Sequence, residues 1–399
     1  MGMEDKQVRK ITVGVIFGGR SVEHEVSIIS ALQVLHALDR EKYELLPIYI
    51  SKQGQWYCGE ALAKLENYRN METLLAACRK VTFSPNYNDF KLLYEFKGGF
   101  MKKPEEVQID LAFPVMHGSH GEDGCLQGLL ELSGVPFVGP AVLGSALGMD
   151  KIAMKAVLRE AGLPVVDFFW FTSHAFEDAP QSVVEAVEAR FAYPVIVKPA
   201  NLGSSIGISK AANREKLEEA LALAASFSSR LLVEPVVEPL REINISVLGD
   251  ADAVSLSYAE EPLSADDILS FRDKYLSAGK TTGKGMSGAS RRIPADLEPA
   301  LLEQIQNHAK AAFQALDLEG VCRFDFLVNR DSGAVYINEV NTIPGSLSFY
   351  LWEPAGKSFP ALLDDLIRLA LKRYRRKERT IYSYASNILA QKGFKGGKK

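Results

Sequence analysis

Two short segments near the end of the chain, Val321-Cys-Arg-Phe-Asp-Phe-Leu-Val328 and Val335-Tyr-Ile-Asn-Glu-Val-Asn341, constrain the fold most. Side chains alternate along a strand, so Arg323 and Asp325 share one face while Phe324, Phe326 and Val328 take the other. Glu339 and Asn341 likewise share a face, and the link Asn329-Arg-Asp-Ser-Gly333 has the composition of a tight turn. The pair is therefore expected to form a hairpin that gathers two carboxylates, an amide oxygen and a guanidinium over an apolar underside. Hard oxygen donors of this kind suit Mg²⁺, which keeps waters and shares itself with nucleotide phosphates. On alternation alone, a half-buried hairpin with a solvated polar face is the commoner outcome. The sharp bend that follows, Thr342-Ile-Pro-Gly-Ser346, favours a site.

The rest of the chain is consistent with a large α/β protein. Its 399 residues are 47% hydrophobic, enough for two or three domains, and the formal net charge of -4 argues against a nucleic-acid partner. No apolar run reaches membrane-spanning length, and the charged start Met1-Gly-Met-Glu-Asp-Lys6 is not a secretory signal. Cys58, Cys78, Cys125 and Cys322 are scattered, which reads as reduced thiols in a cytoplasmic protein.

Ile11 to Phe17 reads as a buried strand, followed by a helix to about Leu38 and a strand from Tyr43 to Ile50, a β-α-β opening. Residues 55–105 look less regular. A strand at Asp110–Met116, a helix and a boundary near Val135–Pro140 close a first domain, 1–140. A second, 141–230, holds a helical run from Ser145 to about Ala161, strands near Val165–Phe171 and Pro194–Lys198, and a helix at about Arg214–Ala225. A third, 231–380, carries a polar excursion at about 260–292, a helix at about Asp296–Leu316, the hairpin and a last helix near Phe359–Arg375. So long an excursion suggests a lid. Residues 381–399 form a basic tail.

Several other segments carry chemistry. Ile196-Val-Lys-Pro-Ala-Asn-Leu-Gly-Ser-Ser-Ile-Gly207 delivers Lys198 from a strand into a glycine- and serine-rich loop, a cradle for phosphates that is not a Walker A sequence. Gly18-Gly-Arg-Ser-Val-Glu-His-Glu-Val-Ser27 places Glu23 where a first strand feeds a helix. There it suits an ammonium, or simply the helix N-terminus. His117-Gly-Ser-His120 with Glu122 and Asp123 could bind zinc, although a histidine that hydrogen-bonds substrate fits the glycine-rich spacing better. Lys274 and Tyr275 lie in the excursion and could close over a site.

Taken in order from Gly18 to about Leu369, these motifs resemble the ATP-grasp superfamily and, within it, the D-alanine–D-alanine ligase family. Met149-Asp-Lys151 and Asn338-Glu-Val-Asn-Thr-Ile-Pro-Gly345 complete the set. The resemblance implies a three-domain α/β architecture with an N-terminal open sheet and ATP between the second and third domains. It implies that Lys151 and Lys198 contact the phosphates, under a loop containing Ser204, Ser205 and Gly207. Glu234 would meet the adenine and Glu242 the ribose. Asp325, Glu339 and Asn341 would hold two Mg²⁺ ions, with Mn²⁺ as an alternative. Glu23 would bind the ammonium of the first D-alanine, linked to Ser204 and Tyr275, with His117 and Lys274 near the substrates. Arg323 and the Gly345 amide would stabilise a tetrahedral intermediate.

Three departures from the family pattern stand out: Pro235 follows Glu234, the stretch to Glu242 is one residue longer, and Ser346, Ser348 and Tyr350 all compete for the second substrate's carboxylate. Lys274-Tyr275, with no histidine between His174 and His308, argues against D-lactate as second substrate and leaves D-serine open. Another ATP-grasp carboxylate–amine ligase, or a non-catalytic nucleotide-binding module, are the alternatives. The resemblance also implies a homodimer built on the first domain.

Overall fold

The computed structural model describes residues 9–95, 105–203, 206–263 and 291–383. These build three sheets in sequence. Ser204, Ser205, Lys274 and Tyr275 lie outside the described residues, as does most of the 260–292 excursion.

The first sheet has the order β6-β5-β4-β3-β2-β1-β7. Its strands are β1 (Ile11–Gly18), β2 (Tyr43–Ile50), β3 (Trp56–Cys58), β4 (Arg79–Phe83), β5 (Lys91–Tyr94), β6 (Glu106–Gln108) and β7 (Leu111–Pro114). Helices α1 (His24–Ala37), α2 (Met71–Ala76) and α3 (Cys125–Ser133) accompany it. β1 runs parallel to β2 and β7, as the β-α-β opening requires, and its unbroken apolar run follows from burial on both faces. Residues 55–105 are more regular than their sequence suggests. β3 to β6 extend the sheet antiparallel, and strands of three to five residues are too short to show alternation.

The second sheet has the order β10-β9-β11-β8, from β8 (Phe169–Thr172), β9 (Val195–Pro199), β10 (Ser209–Ala211) and β11 (Arg230–Pro235). With it go α4 (Val142–Met149), α5 (Lys151–Glu160), α6 (Ser173–Asp178), α7 (Pro180–Arg190) and α8 (Arg214–Ala225). The helical run expected from Ser145 to Ala161 is two helices, because the extended Asp150 caps α5 by accepting from the N–H groups of Ile152 and Ala153. β11 pairs with β8 and β9, so the second sheet extends past residue 230.

The third sheet has the order β14-β13-β12-β15-β16, from β12 (Leu240–Gly249), β13 (Val254–Pro262), β14 (Arg291–Arg292), β15 (Gly320–Asn329) and β16 (Val335–Asn341). Helices α9 (Pro299–Ala315), α10 (Phe349–Trp352) and α11 (Phe359–Lys377) follow. α11 turns Leu362, Leu363, Leu366 and Ile367 onto a core shared with Val13, Phe17, Ala31 and Leu35. The last described helix is thereby packed onto the first sheet, each buried side chain contributing about 1.5–3 kcal/mol. Arg373 completes the join by donating to the carbonyls of Phe137 and Gly139, at 2.6 Å each. No helix among the described residues is long and apolar enough to cross a membrane.

Candidate active site

The hairpin forms as its sequence requires. β15 and β16 pair antiparallel, with Asp325 opposite Glu339, Arg323 opposite Asn341 and a bulge after Asp325. Asn329 closes the turn by accepting from the N–H groups of Asp331 and Ser332, and Gly333 takes the left-handed conformation there (φ 70°). Phe324 and Phe326 are fully buried beneath. On the polar face, Arg323 donates from Nε and Nη2 to the two oxygens of Asp325 at 2.7 and 2.8 Å, and Asn341 reaches Asp325 Oδ2 at 3.3 Å. Opposed side chains on paired strands lie about 5 Å apart, so Asp325 and Glu339 can share an ion. Two carboxylates and one amide oxygen are too few for an all-protein cage. They fit Mg²⁺ that completes its shell with waters and phosphate oxygens.

The hairpin forms one wall of a cleft of about 680 Å³ between the second and third sheets. Ile196, Val236 and Leu327 give it apolar sides, while Lys198, Glu242 and Glu339 face in. Apolar walls with a few convergent charges suit a nucleotide base with its sugar and phosphates. Gly207 (φ 73°) leads out of the glycine-rich loop into β10 beside this cleft, and a Cβ there would meet Pro199 Cγ at 2.8 Å.

At the inner end lies a buried charge cluster. Lys198 Nζ sits 2.6 Å from Glu234 Oε2 and 3.0 Å from Asn338 Oδ1. The other Glu234 oxygen lies 2.7 Å from Nζ of Lys155, a side chain with no solvent exposure. Lys151 Nζ donates to the Leu202 carbonyl at 2.7 Å and lies 3.3 Å from Glu339. Three lysines thus face two carboxylates, an imbalance that a phosphate would relieve. Burial lowers the Lys155 pKa against the pull of Glu234. Burial alone would raise that of Glu234, but Lys155 and Lys198 outweigh it and hold the carboxyl below its ordinary value.

Glu234, placed against the adenine by the resemblance, is therefore turned onto two lysines and does not line the cleft. Lys155 was not singled out from the sequence. Its signal was available, because Lys151 and Lys155 stand four apart and share a helix face.

Beyond the glycine-rich loop the first domain enters. Glu23 is buried at the N-terminus of α1, and a Cβ on either Gly118 or Gly203 would come within 2.8 Å of its Oε2. Only glycine lets both loops approach that carboxylate so closely. His117 Nδ1 lies 2.7 Å from the Ile343 carbonyl, which can only accept, so that nitrogen carries the proton. Nε2 then accepts from Ser30 Oγ at 2.9 Å, and Ser30 Oγ accepts the Ser346 N–H, also at 2.9 Å. Burial pushes the His117 pKa down to about 4, so the ring is neutral near pH 7. His117 is thus a link between domains, with both nitrogens engaged by protein groups. His120 is exposed with Nδ1 3.4 Å from the Arg20 carbonyl, while the His117 ring engages Ile343 and Ser30, so the two histidines do not converge on a metal.

Glu122 is a further link. It accepts from the N–H groups of Gly118 and Ile343, at 2.8 Å each. After Gly345 the chain makes a left-handed turn through Ser346, Leu347 and Ser348 (φ 53°, 51° and 52°), which delivers Tyr350 into the site. Such backbone costs about 1–3 kcal/mol per residue and collects at functional sites.

Comparison with known proteins agrees with this geometry. The pattern described as "D-ala D-ala ligase N-terminus" matches residues 12–140, and "D-ala D-ala ligase C-terminus" matches residues 157–368. The chain belongs to the D-alanine–D-alanine ligase family. A D-alanine–D-alanine ligase of Natranaerobius thermophilus is 41% identical over 385 residues, covering 95% of this chain and 100% of the relative. Among solved structures, the D-alanine–D-alanine ligase from Coxiella burnetii superposes with a TM-score of 0.76 at 32% identity, covering 93% of this chain and 96% of that one. The VanG D-Ala:D-Ser ligase from Enterococcus faecalis gives 0.76 at 30% identity, covering 91% of this chain and 100% of that one. Ligases of the D-alanine–D-alanine family depend on ATP and use a divalent metal. The three-sheet α/β arrangement is the ATP-grasp architecture that these neighbours share.

Proposed function

We propose that this chain joins two D-alanine molecules, with ATP as the activating substrate, to give D-alanyl-D-alanine, ADP and phosphate for peptidoglycan precursor synthesis. The observation that carries the reading is the meeting of Glu23 with the base of the phosphate loop at Gly203. An amino acid whose ammonium rests on Glu23 presents its carboxylate toward the transferable phosphate. That carboxylate attacks the γ-phosphorus and ADP leaves, giving a D-alanyl phosphate. The amine of a second D-alanine then attacks the acyl carbon, and phosphate departs with the bonding electrons as the amine loses a proton.

The roles follow from residue chemistry. Lys151 and Lys198 hold the phosphates beside the glycine-rich loop that ends at Gly207, and Glu242 takes the ribose. Arg323 and the Gly345 N–H stabilise the oxyanion, a contribution of about 3–4 kcal/mol per donor in other acyl-transfer sites. Asp325, Glu339 and Asn341 would hold two Mg²⁺ ions, or Mn²⁺, and when bound these would supply positive charge against the phosphoryl oxygens. The sheets correspond to three domains. The family reading adds a cytoplasmic location, small-molecule substrates and a homodimer formed through the first domain.

Glu339→Gln tests the metal role, since it keeps the shape of the side chain and removes its charge. Turnover should collapse and its Mg²⁺ dependence shift to higher concentration, with the melting curve retained. Near-wild-type turnover at saturating Mg²⁺ would remove Glu339 from that role.

A further inference from the structure

The connection from α8 to β11, residues 226–229, does not line the nucleotide cleft, yet it touches both ends of the glycine-rich loop. Ala200, where the loop leaves β9, donates its N–H to the Arg230 carbonyl at 2.9 Å and accepts the Lys151 N–H at 2.8 Å. One residue on, Asn201 Oδ1 accepts from Ser228 Oγ at 2.9 Å, and Ser228 Oγ accepts the Arg230 N–H at 3.2 Å. At the other end, Gly207 is set against Phe227, where a Cβ would come within 3.0 Å of Phe227 Cδ2. The backbone of this leg therefore lies flush with the phenyl ring.

Phe227 is 43% exposed, so its ring adds little to the core that Leu217, Leu221 and Val233 build with the second sheet. What the ring does cover is the second leg of the loop. The same connection also reaches a phosphate-site lysine. Arg230 pairs with Asp150 at 2.5 Å, and Asp150 caps α5, whose first residue is Lys151. Lys151 Nζ in turn donates to the Leu202 carbonyl within the loop at 2.7 Å. We infer that Phe227 and Ser228 are positioning residues for the phosphate site: each pins one leg of the glycine-rich loop, and together they set its width for the outer phosphates of ATP. A loop held in its binding geometry spares the ligand the entropy of ordering it. This assignment rests on the reading of the loop as a phosphate cradle and is independent of which amino acids are joined.

Calorimetric titration of the full-length protein with ATP and with AMP, each with Mg²⁺, tests it. AMP keeps the base, the sugar and the first phosphate and lacks the outer two. The quantity to read is the ratio of the Kd for AMP to that for ATP. Phe227→Ala should lower this ratio by about 10-fold, within the range that an ångström of misplacement costs. Ser228→Ala should lower it by about 5-fold, the worth of one neutral hydrogen bond. Phe227→Tyr keeps the ring and should keep the ratio. The Tm of Phe227→Ala should stay close to that of the unaltered protein, as the exposure of the ring requires. A ratio unmoved by Phe227→Ala would overturn the assignment. So would an equal weakening of both nucleotides, the mark of a merely structural role. An unaltered protein that binds ATP no more tightly than AMP would overturn the cradle itself and this assignment with it.

Discussion

Lys155 carries an ammonium into a place with no access to water, and Glu234 is what holds it there. Removing one partner of a buried pair leaves a charge uncompensated, which costs about 3–5 kcal/mol. Lys155→Met should therefore lower stability by that order and raise the KM for ATP, because Glu234 then draws Lys198 alone. The double substitution Lys155→Met with Glu234→Gln should recover part of the stability, and denaturant melts of the four proteins measure the coupling. Glu122 supplies the opposite case. Burial and the nearby Glu23 carboxylate push its pKa from 4.5 up to about 8. A carboxyl raised on folding contributes stability below its unfolded pKa and loses it as the pH rises through the folded one. Between pH 5 and 8.5 the wild-type Tm should therefore fall relative to that of Glu122→Gln, and parallel curves would contradict the shift.

The glycine-rich loop and the His117 loop work because they approach one carboxylate from two sides. Gly203→Ala would set a methyl group 2.8 Å from Glu23 Oε2. The expected result is a raised KM for the first D-alanine, with the KM for ATP less affected and stability reduced by under about 1 kcal/mol. Equal effects on both KM values would mean the loop serves ATP alone. Elements of this kind were legible where the residue pattern is strong. The central strands show as continuous apolar runs, and the hairpin shows through alternation and turn chemistry. α8 was legible to within a residue at each end, since Asn213 caps it and accepts the Lys216 N–H. The break between α4 and α5 was hidden because both sides are good helix formers and a single aspartate redirects the chain. The left-handed turn after Gly345 was hidden too, since serine and leucine carry no signal for positive φ.

Across the molecule, the site is assembled from parts up to 316 residues apart. Ser30 bonds the Ser346 N–H, His117 bonds the Ile343 carbonyl, and α11 packs its leucines on the first sheet. Periodicity says which face of α11 is apolar and says nothing about which sheet it covers, so this closure could not be read from the chain. The partners of Glu234 and His117 escaped for the same reason, because they lie on other elements. What the ordered motifs did reveal was the family and the ATP-grasp architecture, both of which the comparisons and the fold bear out.

The central claim is the reaction itself. Purified protein with ATP, Mg²⁺ and D-alanine, with phosphate release followed and products identified by mass, should yield one ADP and one phosphate for each D-alanyl-D-alanine. L-alanine should give no product. Tight ATP binding without dipeptide formation from D-alanine would contradict the account.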